Sequence, residues 1–99
     1  MKYDLYDLEI QTTGDPASFN CSHKAGDTLI IRGENLEFKP GTEAFSHYAL
    51  ATLIPYIAAK QRAQSETDWM YYESDIACPD PQCGARFRFK RIGKSTYSY

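Results

Sequence analysis

TEAFSHYALATLIPYIAAKQRAQ, residues 42–64, is the longest apolar stretch of the chain with a helical pattern, and the other elements are placed around it. At 100° per residue its large apolar side chains fall mostly on one half of the surface, which is typical of a helix that covers a sheet. Thr42 is expected to cap the first turn, because its hydroxyl can accept an otherwise unpaired amide hydrogen. Pro55 lies inside the pattern and removes one backbone hydrogen bond, so we expect a kink there.

Four shorter segments are predicted to be strands, two of them from alternating residues (3–12 and 85–92) and one from a β-branched run (28–32). Residues 3–12 and 28–32 precede the helix, and residues 75–78 and 85–92 follow it. In the last segment aromatic and basic residues alternate, which is typical of a strand with one face in a core. The sequence therefore predicts an α+β fold, with a small, mostly antiparallel sheet in the order β-β-α-β-β and one long, Pro-kinked helix packed on one face.

The length and charge of the chain limit the classes of function. Its 99 residues allow one domain, expected over residues 1–92, with a flexible polar tail at 93–99. The net charge of -2 disfavours binding to nucleic acid or an anionic membrane, since both need a strong positive field. Polar residues interrupt the helix, which excludes a membrane span, and the first ten residues lack the apolar core of a secretory signal. We therefore expect a cytoplasmic protein that binds neither nucleic acid nor membranes.

The turn CPDP, residues 78–81, is the strongest candidate for chemistry, because it places a thiol at the end of a strand and a carboxylate in a rigid turn. A helix N-terminus or a cation can activate such a thiol, and the helix start with Ser46 and His47 is expected nearby. In a catalytic interpretation, Cys78 or Asp80 transfers a proton with His23 or His47 as its partner. In the structural alternative, Cys78 is a small buried side chain, Asp80 caps its own turn, and Ser46 bonds back to the helix.

The segment HKAGD, residues 23–27, is a second candidate. His23 and Lys24 can present cations to an anionic ligand, with Asp27 orienting the imidazole. Structurally, Gly26 and Asp27 are typical of a turn into the next strand, since glycine adopts a positive φ without strain and aspartate accepts a local hydrogen bond. The sequence leaves the role of His23 open.

A metal site is the third candidate. Three cysteines, an odd number, indicate thiols or metal ligands more than a disulfide framework. The ligands that suit tetrahedral zinc are Cys21, His23, Cys78 and Cys83. Their spacings, Cys-x-His and Cys-x4-Cys, lack the two-residue knuckle of common zinc motifs, so these residues are weak metal candidates. We expect no bound metal and no cofactor.

Three motifs in order resemble those of a known family: HKxGD at residues 23–27, ALxxLxPY at 49–56 and CPDP at 78–81. Together they are similar to a widespread family of small, uncharacterised prokaryotic proteins, and the resemblance covers residues 3–92. It implies no established activity. Members usually have two further cysteines, at positions that match Phe19 and Ser46 here, so only Cys78 is matched outright. If the family cysteines form a metal or redox site, the resemblance implies that this chain has lost or rebuilt it.

Taken together, the motifs favour a binding or accessory domain whose small-molecule pocket lies between the helix N-terminus, the His23 loop and the Cys78–Asp80 turn. Helix amides and nearby cations would favour an anionic ligand, and the expected ligand-binding residues are Lys24, Ser46 and His47. One alternative is a small cofactor-free enzyme, an isomerase or lyase, in which Cys78 and Asp80 act with a histidine. Another is a structural zinc domain.

The chain is also rich in tyrosine. Eight tyrosines in 99 residues are more than one small core hides, and tyrosine is enriched at protein interfaces. We therefore expect a homo-oligomer, with some tyrosines at the subunit contact, among them Tyr3, Tyr6, Tyr71 and Tyr72.

Overall fold

A computed structural model describes residues 1–72 and 75–99 of the chain. Within these described residues, five strands and two α-helices follow one another in the order β1 (Lys2–Thr13), β2 (Thr28–Arg32), β3 (Asn35–Phe38), α1 (His47–Lys60), α2 (Trp69–Tyr72), β4 (Asp75–Ala77) and β5 (Arg86–Ser98). The strands form one antiparallel sheet in the spatial order β3-β2-β1-β5-β4. The predicted α+β class and antiparallel sheet are confirmed.

The predicted chain order β-β-α-β-β is wrong, because a third strand, β3, precedes the helix. Gly33 takes a φ of 59° and reverses the chain immediately after β2, and β3 then pairs back along β2 from Asn35 opposite Arg32 to Phe38 opposite Leu29. Most of β3 is exposed at the edge of the sheet. Its sequence, Asn-Leu-Glu-Phe, alternates polar and apolar residues over four positions only, which is the shortest run that indicates a strand.

The core lies between one face of the sheet and α1. Ile10 of the central strand β1 pairs with Leu29 of β2 on one side and with Phe89 of β5 on the other, so these apolar side chains share a face. The helix adds three buried residues spaced four apart: Ala49, Leu53 and Ile57. All of them join one cluster of buried side chains, which anchors the loops at the end of the sheet.

The helix begins later than predicted. Ser46 is the N-cap, with an extended backbone and a hydroxyl that accepts the amide hydrogen of Ala49 at 3.3 Å. Thr42, the predicted cap, instead accepts the amide hydrogen of Thr28 at 2.8 Å and so holds the start of β2. Pro55 lies inside α1, which runs on to Lys60. The kink there stays a prediction.

The segment predicted as a flexible tail, residues 93–99, is mostly strand. β5 continues to Ser98 and pairs with the first residues of β1, so that Gly93 faces Asp7 and Ser98 faces Lys2. The Tyr3 and Tyr97 rings stack at 5.7 Å between centroids. The small polar side chains of this segment do not indicate a strand. The strand pairs through backbone groups, and most of its side chains are exposed. Within the described parts of the chain, no helix has the length and apolar character that crossing a bilayer requires.

Candidate functional site

Two loops meet at one end of the sheet and bring the predicted site residues together. The first, residues 14–27, joins β1 to β2, and the second, residues 78–85, joins β4 to β5. The amide of Gly84 donates to the carbonyl of Ser18 at 2.9 Å, and the side-chain amide of Asn20 donates to Asp80 at 3.5 Å. A Cβ atom at Gly84 would overlap the side chain of Ser18. Glycine thus permits the close approach that places the two loops side by side.

Three potential ligands converge where the loops meet. The Nε2 or Nδ1 atoms of His23 and the Sγ atoms of Cys21 and Cys78 all lie within 4.8 Å of one another. The two sulfurs are 3.8 Å apart, and Cys78 Sγ lies 3.7 Å from His23 Nε2. Zinc–sulfur bonds of about 2.3 Å and zinc–nitrogen bonds of about 2.0 Å at a tetrahedral centre give edges of about 3.8 Å and 3.6 Å. Both observed distances match these edges.

The third cysteine, Cys83, lies beside Cys21 and belongs to a different contact. Its sulfur is 2.7 Å from Cys21 Sγ, shorter than a tetrahedral edge, and accepts the backbone N–H of Asn20 at 3.4 Å. Burial would raise the pKa of Cys83, but hydrogen bonds with Cys21, with the backbone of Ala85 and Asn20, and with Cys78 outweigh it and lower the pKa to about 7. Burial and the neighbouring Cys83 and Cys78 sulfurs raise the pKa of Cys21 to about 12. Above the Cys83 pKa the Cys21–Cys83 pair therefore holds one proton, on Cys21.

His23 is held in the neutral form that a metal ligand needs. Burial lowers the pKa of His23 from its ordinary 6.5, and the carboxylate of Asp27 opposes this only in part. The imidazole packs edge-on against Phe87 at 4.9 Å and tilted against Phe45 at 5.8 Å between ring centroids. Because Phe87 is fully buried, these contacts fix the ring against the core.

A cavity of about 330 Å³ opens in front of the three ligands and matches the three segments of the predicted pocket. It is lined by Cys21, His23, Ser46, Tyr48, Cys78, Pro79 and Asp80. Asp80 is held by the amide of Gln82, which donates to its carboxylate at 2.9 Å. A larger cavity, of about 500 Å³, lies elsewhere, between Tyr3, Arg32, Gln61 and Tyr97, and neither cysteine nor histidine is among its described lining residues.

Two of the predicted ligand-binding residues lie outside the cavity. Lys24 is exposed and lines a separate surface depression with Asp27 and Thr42. His47 is exposed too, and its ring contacts that of Tyr48 at 4.2 Å. Lys24 follows His23 in the sequence, and His47 follows Ser46. Because consecutive side chains point in different directions, the two that follow lie outside the cavity. Ser46 lines the cavity, as predicted, while it caps α1.

Two further residues at the site could not be predicted from the sequence. Asn20 acts through its backbone amide, which every non-proline residue carries, so no sequence pattern marks it. Tyr48 lines the cavity from the first turn of α1. Locating it requires knowing that the helix begins at His47 rather than at residue 42.

Comparisons with known proteins were made with family models, curated proteins and solved structures, and none of the three gave a match. The resemblance to the prokaryotic family with HKxGD, ALxxLxPY and CPDP motifs therefore stays a prediction. Any function has to be inferred from the site itself.

Proposed function

We propose that the protein is a metal-binding domain in which Cys21, His23 and Cys78 bind one transition-metal ion, with zinc as the expected ion. The observation that carries this proposal is the convergence of the three ligand atoms within 4.8 Å, with two of the separations at tetrahedral values. Two thiolates and an imidazole suit zinc better than the harder cations magnesium or calcium, which prefer oxygen. This departs from the expectation, drawn from motif spacing, that no metal is bound.

The surroundings favour a neutral imidazole and offer an acceptor for the proton of Cys21, whose pKa is raised to about 12. A metal binds thiolate and neutral histidine, so each ligand that already lacks its proton reduces the cost of binding. Burial lowers the pKa of His23, which favours the neutral ring at neutral pH. Cys83 can take up the proton that Cys21 must lose, because their sulfurs are in hydrogen-bond contact. The ion would thus replace protons at a site that is already arranged.

A bound ion would join two loops that have little regular secondary structure. Cys21 and His23 come from the loop of residues 14–27, which contains only the short 3₁₀ helix Pro16–Ser18, and Cys78 comes from the end of β4. Binding to the folded state alone stabilises it by about 2.7 kcal/mol when the free ion is at 100 times its dissociation constant. For a domain of this size, that is a large part of the total stability.

The test is the stoichiometry of zinc in protein that is stripped with a chelator, reloaded and desalted. We expect one zinc per chain in the wild type and in His47→Ala, which removes the histidine outside the site. Cys78→Ser should retain little zinc, since a serine hydroxyl is a poor ligand beside thiolates. A wild-type protein that folds and retains no zinc would contradict the proposal, as would full occupancy in Cys78→Ser.

The assembly and location of the protein are proposed with this function. A cytoplasmic location would keep the three thiols reduced. A homo-oligomer is supported by the side chains of Tyr3 and Tyr71, which are 44% and 46% exposed, whereas the side chain of Tyr72 lies outside the described part of the chain. Light scattering during size-exclusion chromatography tests the assembly, and a monomer at micromolar concentration would contradict it.

A further inference from the structure

We propose that the metal ion keeps its fourth coordination position open to the 330 Å³ cavity, and that a neutral nitrogen or sulfur donor of a small molecule binds there. Imidazole, amine and thioether groups belong to this class. The inference rests on the proposed metal site and goes beyond it by making the site a receptor for an external ligand. It depends on three features of the structure: the side of the ligand triangle that is free, the position of Cys83, and the charge of the cavity wall.

The first feature is the free side of the triangle formed by Cys21, His23 and Cys78. A tetrahedral ion lies about 0.8 Å out of the plane of three of its ligands, with its fourth position further out on the same side. On the inner side, the His23 ring packs against Phe87 and Phe45, and Phe87 has no exposed surface. On the outer side, all three ligands line the cavity. The cavity side therefore has room for both the ion and a fourth ligand.

The second feature is that Cys83 does not face the cavity. It is 4% exposed, is absent from the cavity lining, and lies against Cys21 under the amide of Asn20. Its ligand atom is also outside the group that lies within 4.8 Å. When Cys21 binds the ion as a thiolate, Cys83 can donate its S–H to that sulfur, as hydrogen-bond donors beside metal-bound groups commonly do. Cys83 then orients a ligand and leaves the fourth position vacant.

The third feature is the charge around the open position. The two thiolates of Cys21 and Cys78 neutralise a divalent ion, and the carboxylate of Asp80 adds a negative charge at the cavity wall. No lysine or arginine is found among the cavity residues that the structure describes. An anion would therefore be repelled, whereas a neutral donor with an N–H can also donate a hydrogen bond to Asp80. The rings of Tyr48 and Pro79 supply apolar surface for the body of such a ligand.

The experiment uses the full chain loaded with cobalt(II), whose d–d absorption responds to a change of ligand. Imidazole is the neutral probe and azide the anionic one. We expect imidazole to change the spectrum in a saturable way as its nitrogen replaces water on the ion, and to bind about tenfold more tightly than azide, as one nearby negative charge would produce. Asp80→Asn, which keeps the size of the side chain, should reduce this preference.

The role of Cys83 is tested in the same system with Cys83→Ser. We expect the variant to bind cobalt, to respond to imidazole, and to keep the thiolate-to-cobalt charge-transfer intensity of the wild type. A cobalt-loaded wild type whose spectrum ignores imidazole would overturn the open position, and that titration needs no variant. Loss of about a third of the charge-transfer intensity in Cys83→Ser would mean that one of three thiolates had been removed. Cys83 would then be the fourth ligand, and the open position would be overturned as well. Failure to bind cobalt at all would instead contradict the metal site.

Discussion

Replacing His23 by phenylalanine separates the ring's packing from its proposed role as a ligand. The phenyl ring can keep the contacts with Phe87 at 4.9 Å and Phe45 at 5.8 Å, but it has no lone pair for a metal. His47→Phe is the matched control, because the same change is made at an exposed histidine whose ring contacts Tyr48. We therefore expect His23→Phe to leave the metal-free protein close to wild-type stability and to change only its response to zinc.

The size of that response follows from the binding equilibrium. With free zinc at 100 times the dissociation constant, the wild type should gain about 2.7 kcal/mol, or roughly 10–20 °C in melting temperature for a domain of this length. Even the loss of a group that only orients a ligand weakens metal sites by up to about 100-fold. A 100-fold weaker site gains only about 0.4 kcal/mol at the same zinc concentration, or roughly 2–3 °C.

The assay is thermal unfolding of wild type, His23→Phe and His47→Phe, each with chelator and with zinc, at a pH above the ordinary histidine pKa of 6.5. His47→Phe should gain as much from zinc as the wild type. An equal gain in His23→Phe would refute the assignment of His23 as a ligand, and so would the absence of a gain in the wild type. Below pH 6.5 the metal-free wild type should also lose stability, because unfolded His23 takes up a proton that the folded protein binds only at lower pH.

Two further predictions concern protons and the core. About one pH unit above the Cys83 pKa of about 7, zinc binding should release one proton fewer than about one unit below it, because at the higher pH the proton of Cys21 moves to the ionised Cys83 instead of to solvent. Calorimetry in buffers of different ionisation enthalpy measures the release at both pH values. An equal release at the two pH values would contradict this transfer. Thr12 is 1% exposed, and its hydroxyl has no hydrogen-bond partner among the described residues, so Thr12→Val should stabilise the protein by about 1 kcal/mol in urea unfolding; a destabilised variant would contradict this.

The parts of the fold that the sequence predicted are those in which burial leaves a pattern. β2, Thr28–Arg32, matches the predicted segment 28–32, since its β-branched residues are buried and bounded by turn residues. The start of α1 was misplaced because Thr42 and Ser46 are both good caps, and only the contact of Thr42 with Thr28 shows which one the helix uses. β3 and the end of β5 were missed because edge pairing uses backbone groups and marks the side chains only weakly.

Three residues chosen from the sequence as site candidates lie together in the structure, and their chemistry stays a prediction. Cys78, Asp80 and His23 were chosen from two separate loops, and the structure places all three around one cavity. The metal alternative was considered weak because the spacing Cys-x4-Cys lacks a knuckle, but that test applies to ligands that share one turn. Here the ligands come from two different loops, which are held together by the contact between Gly84 and Ser18. A motif within one segment of the sequence cannot show such an arrangement.

The central position of β1 determines when the site can form. β1 is translated first, yet its longest partner, β5, ends at residue 98, and the ligands Cys21 and Cys78 are likewise brought together across more than half of the chain. Pairing between such distant segments is slow and comes late in folding. A chain truncated before residue 78 has β1, β2, β3 and β4 but only two of the three ligands. We therefore expect metal uptake to follow completion of the sheet, so that a bound ion marks chains that have finished folding.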